Sequence, residues 1–100
     1  MIEIKLVNHP DDRASFNLYV NHEVVAEMDI KIFPDVIKVY HTLVNADQRG
    51  KGYAKQLFTH LVDYARTNKL IIIPICEYVH AQFSAHPELF ADVWQHDKQG

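Results

Sequence analysis

Four side chains in this sequence of 100 residues are placed to carry nucleophilic or acid–base chemistry, and one short loop is built to hold an anion. Cys76 is the sole cysteine, and Tyr78 follows it two positions later. A thiolate is a strong nucleophile, and a phenol can return a proton to a departing sulfur. The same residues have plainer readings: a buried free cysteine is often an inert small hydrophobe, and a tyrosine often caps a core. Histidine is the side chain suited to proton transfer near neutral pH, so His41 can act as a base, directly or through a water. It alternates in step with Ile37, Val39 and Leu43, so a hydrogen-bonded core histidine is the competing expectation. Glu77 orients or deprotonates an amine in one reading and is a solvated carboxylate in the other.

The loop is Arg49-Gly50-Lys51-Gly52-Tyr53-Ala54. It is basic, rich in small residues and stands immediately before an amphipathic helical pattern. The first turn of a helix has unpaired N–H groups and a partial positive charge, and glycine lets a phosphate approach the backbone. Arg49 and Lys51 either touch that phosphate or are solvated charges, because backbone donors suffice to hold it.

The elements that must position these groups are legible in the hydrophobic period. Ile2, Ile4 and Leu6 alternate with charged residues as a first strand, and Pro10-Asp11-Asp12-Arg13 is a turn. Phe16, Leu18 and Val20 mark a second strand. Asn21-His22 forms a tight hairpin into Val24–Ile30, since asparagine tolerates positive φ. After the turn Phe33-Pro34-Asp35, a strand runs from Val36 to about Asn45. The period then changes: Tyr53, Ala54, Leu57, Phe58, Leu61, Val62 and Ala65 recur every three or four residues. Asn68 is the expected left-handed stop of that helix. Leu70–Ile75 lacks alternation, as a strand covered on both faces does. Tyr78–Ala85 reads as a short helix, and Pro87-Glu88-Leu89-Phe90 opens another.

The fold class that follows is α/β: a mixed, mostly antiparallel sheet, one long helix across it, and short helices after the last strand. The strand–helix–strand unit from Val36 to Ile75 is expected to be a right-handed crossover with parallel strands. Ligands bind beyond the carboxyl ends of such strands, which brings the loop Ala46–Lys51 and Cys76 to one edge. Pro74 cannot donate a ladder hydrogen bond, so the two strands are predicted to part there and leave a cleft.

Composition bounds the alternatives. The length suits one domain, and 48% hydrophobic residues supply a core. A formal charge of -3 argues against a general nucleic-acid binder. No apolar stretch approaches the roughly 20 residues that span a bilayer, so no membrane partner is expected. One cysteine and no signal-like N-terminus fit a reducing, cytoplasmic setting. The seven histidines, among them His9, His22, His80, His86 and His96, lack zinc-motif spacing, and no metal site is expected.

The loop, with the meander before it and the buried strand after it, resembles the signature of the GNAT superfamily of N-acetyltransferases, Gln/Arg-x-x-Gly-x-Gly/Ala. Arg49 stands at its first position, Gly52 at its fourth and Ala54 at its sixth. Ile73-Pro74-Ile75-Cys76-Glu77-Tyr78 and His86-Pro87-Glu88 are similar to the C-terminal pattern of the minimal, hundred-residue members. The resemblance spans roughly Phe16 to Val93. It implies acetyl-CoA as cosubstrate, with the pyrophosphate on backbone N–H groups of Arg49, Gly50, Lys51, Gly52, Tyr53 and Ala54. The pantetheine arm would pair with the backbone of Leu43 and Val44. Cys76, His41 and Tyr78 are the candidates for the chemistry of acetyl transfer to an amine. That amine is open: a protein amine, a polyamine or a small metabolite. The segment between the first two strands is only a turn, where larger members have helices that shape the acceptor site. A CoA-binding or protein-interaction module with little turnover is therefore the alternative.

Overall fold

A computed structural model describes residues 1–95; His96 lies outside them. Five strands form one sheet in chain order: β1 (Ile2–Asn8), β2 (Ala14–Val20), β3 (Glu23–Ile32), β4 (Val36–Val44) and β5 (Ile71–Pro74). The first four pair antiparallel as a meander, and β5 lies parallel to β4. Between β4 and β5 runs α1 (Tyr53–Asn68), and α2 (Glu77–Ala85) follows β5. The expected mixed sheet with one long helix is the observed architecture.

Local chemistry explains the joints. Asn21 and His22 both take positive φ, 51° and 72°, in the hairpin between β2 and β3. Two such residues match the right-handed twist of the strands they join. The stop of α1 falls one residue later than the sequence suggests. The Asn68 side chain donates to the Tyr64 carbonyl at 2.9 Å, which keeps Asn68 helical. Lys69 takes the left-handed conformation instead, at φ 57°, and Leu70 N–H closes the turn onto the Ala65 carbonyl at 2.8 Å. The segment after His86 is likewise shorter than expected, a single 3-10 turn over Pro87–Leu89.

The core lies between the sheet and the helices. Phe16, Leu18, Met28, Ile30, Ile37 and Val39 meet Leu57, Phe58 and Leu61, none more than 2% exposed. Burying each such side chain contributes about 1.5–3 kcal/mol. Phe58 on α1 sets its ring edge-on to Phe83 of α2 at 5.3 Å, and Phe83 stacks on Trp94 at 5.2 Å. Both helices are thereby tied to one aromatic cluster.

The feature that shapes the site is a β-bulge in β4. Asp29 faces His41, yet the next residue, Ile30, faces Val39, so Tyr40 is the extra residue. Side chains alternate strictly along a strand, and one inserted residue reverses every side chain beyond it. Ile37 and Val39 point into the core, and after the bulge Thr42 and Val44 continue that face opposite Met28 and Ala26. His41 and Leu43 are turned to the open face of the sheet and are exposed. The expectation that His41 shares a core face with Ile37 and Val39 is therefore corrected: the inserted Tyr40 shifts its parity.

Candidate active site

Strands β4 and β5 part where Pro74 predicts. Their pairing runs from Val36↔Ile71 to Val39↔Pro74 and stops. One further bond, from Cys76 N–H to the Val39 carbonyl at 2.8 Å, holds the point of divergence. On β5 the cause is local: Pro74 has no N–H, and Ile75 N–H turns back to the Ile73 carbonyl at 3.2 Å. On β4 the bulge bends the strand away at the same level. Past Val39, no strand among the described residues lies on the β5 side of β4.

The opening is a groove of about 400 Å³. One wall is β4, through Thr42, Leu43 and Val44; the other carries Tyr78 from α2. Its floor and mouth are the connection into α1, through Gln48, Arg49, Gly50, Gly52, Tyr53, Ala54 and Lys55. Gly50 and Gly52 sit at φ 82° and 81°, the left-handed region that favours glycine. Among the described residues no side chain caps the N-terminus of α1, and its first turn carries no acidic residue. Open N–H groups and an unopposed helix dipole thus face the groove, a fit for a phosphate-bearing ligand.

The candidate residues separate into those that line the groove and those that stand apart from it. Leu43, Val44, Arg49, Gly50, Gly52, Tyr53, Ala54 and Tyr78 all line the groove. Lys51 does not, and its ammonium donates to Oε1 of the groove residue Gln48 at 3.0 Å. Cys76 lies just behind the wall, 7% exposed, at the residue preceding α2. Its Sγ is 3.4 Å from Thr42 Oγ1. His41 stands on the open face, two residues before Leu43. Burial pushes the Tyr78 phenol above its ordinary value of 10.0, and the nearby Cys76 sulfur pushes it the same way. Tyr78 therefore stays protonated at neutral pH.

Three groove residues escaped the sequence reading. Gln48 sits in a 3-10 turn, Ala46–Gln48, that reads as ordinary loop. Lys55 falls on the polar side of the helical period; it lies in the first turn of α1, and its ammonium donates to Gln82 Oε1 of α2 at 3.0 Å. Its position three residues after Gly52 was the available signal. Thr42 had none, because only the bulge turns it inward.

Away from this groove, a second one of about 540 Å³ lies at the other end of β4, among Arg13, Lys31 and Phe33. It has no helix terminus, and Asp12 offsets its cations. Among the described residues no group of three His, Cys, Asp or Glu side chains is arranged to hold a metal, and no helix is long and apolar enough to cross a membrane.

A mixed sheet whose two parallel strands part beside a glycine loop at a helix N-terminus is the acetyltransferase fold. Residues 15–93 match the family described as GCN5-related N-acetyl-transferase, and the chain belongs to that family. Solved structures agree on the fold. A ribosomal-protein-alanine N-acetyltransferase from Brucella melitensis biovar Abortus superposes with a TM-score of 0.70 at 16% identity, over 85% of this chain and 90% of that one. A GCN5-like protein from Staphylococcus aureus gives 0.62 at 24% identity, over 92% and 86%. AAC(6')-Iy, solved with the bisubstrate analogue CoA-S-monomethyl-acetylneamine, gives 0.60 at 18% identity, over 89% of each chain. No curated protein sequence matches the chain.

Proposed function

We propose that the chain is an acetyl-CoA-dependent N-acetyltransferase, working as one domain in the cytoplasm. The observation that carries this reading is the groove between β4 and β5, which opens onto the uncapped N-terminus of α1. Bound acetyl-CoA would supply the activated acyl group. Backbone N–H groups from Arg49 to Ala54 hold its diphosphate, and the strand-free edge at Leu43 and Val44 takes the amides of its arm. Arg49 is exposed at the groove mouth and adds charge there. Lys51 acts through Gln48, which it holds by a hydrogen bond.

The remaining residues divide the proton traffic. Tyr78 keeps its proton and delivers it to sulfur at the groove wall. His41 receives the proton from the incoming amine on the open face, where its neighbour Leu43 also lines the groove. Cross-strand from them stand Asp29, opposite His41, and Glu27, opposite Leu43. These carboxylates suit a cationic acceptor such as a protein amine or a polyamine. Burial first, and the adjacent Asp29 second, raise the Glu27 carboxyl, so part of that charge responds to pH near the carboxylate range.

One observation favours a second reading, a CoA-binding module with little turnover. Only the turn from His9 to Arg13 joins β1 to β2, so nothing there encloses an acceptor. The deciding experiment incubates the protein with acetyl-CoA and a panel of polyamines, peptide amines and small amines while recording free thiol. Thiol release that depends on one amine class supports the enzyme. Tight CoA binding in calorimetry without amine-dependent release supports the module. Binding of ATP in preference to CoA would defeat both.

A further inference from the structure

We propose that Thr42 is a positioning residue for the Cys76 sulfur, and that the two strands clasp through this side-chain pair beyond the point where their backbones part. The inference rests on reading the groove as the acyl-CoA site. Backbone pairing ends at Val39↔Pro74, with the Cys76 N–H bond to Val39 as its last member. Three residues farther along β4, Thr42 Oγ1 lies 3.4 Å from Cys76 Sγ, within reach of a hydrogen bond to sulfur. The contact joins residues 34 apart in sequence and exists only because Tyr40 is inserted in β4. Without that bulge, position 42 would face the open side and His41 would stand over the sulfur.

The surroundings make the contact more than packing. Cys76 precedes α2, and among the described residues its sulfur makes no capping hydrogen bond to that helix. Thr42 and Tyr78 both line the groove, and Cys76 lies between their elements, behind the wall. A threonine hydroxyl is short and has few rotamers, so its donor is held in place at small entropic cost. Donated to sulfur, it steadies negative charge there and fixes Sγ toward the groove. Tyr78 stands two residues after Cys76 in the first turn of α2 and lines the same groove as Thr42. Thr42 thus acts through Cys76.

Cys76 is the sole cysteine, so thiol modification reports on it alone. The full chain is treated with methyl methanethiosulfonate, a small thiol reagent, and followed by intact mass at a series of pH values. The parent, Thr42→Val and Thr42→Ser are compared, each with and without CoA, after thermal melts show that each is folded. Thr42→Val should react roughly three- to tenfold more slowly near neutral pH, the factor that one net hydrogen bond supplies. Its rate should rejoin the parent in alkali, where every thiol ionises, and Thr42→Ser should keep the parent profile. Equal parent and Thr42→Val rates at all pH values overturn the inference, and so does Thr42→Ser behaving like Thr42→Val. A folded parent whose thiol never reacts also overturns it, because a sulfur held toward the groove must be reachable. CoA separates the two readings. Loss of protection by CoA in the parent sinks the groove assignment while a Thr42 effect survives, whereas protection without a Thr42 effect sinks this inference alone.

Discussion

Tyr78 is the residue where environment and chemistry meet most directly. Its phenol lines the groove, and its burial keeps it protonated to alkaline pH. General acids of this kind contribute rate factors on the order of 100 or more. Tyr78→Phe keeps the ring and loses the proton. Its expected effect is a drop of about 100-fold in amine-dependent thiol release, with CoA affinity retained in calorimetry. The parent should hold its activity until the pH passes 10.0, because the raised phenol titrates only above that value. Full activity in Tyr78→Phe would remove the phenol from the mechanism. Cys76 and Thr42 belong to the same scale, since a single hydroxyl decides how the sulfur is held.

At the scale of elements, the approach to α1 is where the backbone turns left-handed in open space. Gly52 precedes the helix at φ 81°, and an added Cβ would meet nothing within 4 Å. Substitution there strains the backbone without a clash. Gly52→Val should cost about 1–2 kcal/mol in urea unfolding, and Gly52→Asn less, because asparagine visits the left-handed region more readily. CoA affinity should fall in the same order, since a shifted loop misplaces the N–H groups at the start of α1. Equal stability and affinity for both variants would show that the left-handed geometry is dispensable. On the other side of the groove, Pro74 and the bulge at Tyr40 bend β5 and β4 apart at one level. Only one of these devices was visible beforehand. A proline announces itself, whereas Tyr40 sits in the run Val36–Val44, where every residue suits a strand.

At the scale of the molecule, α1 is tied to the C-terminal segment on the side remote from the groove. Arg66 Nε donates to Asp92 Oδ2 at 2.8 Å, and an Arg66 terminal nitrogen donates to the Leu89 carbonyl at 2.9 Å. The hydrogen bond from Arg66 holds the Asp92 carboxyl below its ordinary value of 3.8. A depressed carboxylate contributes stability above its unfolded value and loses it as the pH falls through the folded one. The two side chains are 42% and 56% exposed, so the pair is worth only about 0.2–1 kcal/mol. Asp92→Asn should therefore melt slightly below the parent at neutral pH, with the gap closing below pH 3.8. A gap that persists in acid would show that packing, not charge, joins the two segments. The sequence by itself determined the strand and helix periods, the glycine loop and the parting at Pro74. Each depends on residues within a few positions, such as Leu57 and Leu61 one turn apart or a proline lacking its own N–H. Tertiary structure alone decided that His41 faces solvent, that Thr42 reaches Cys76, and that Lys55 lines the groove. Those outcomes depend on how β3 registers against β4 and how α2 docks beside α1, pairings between distant segments that no local pattern records.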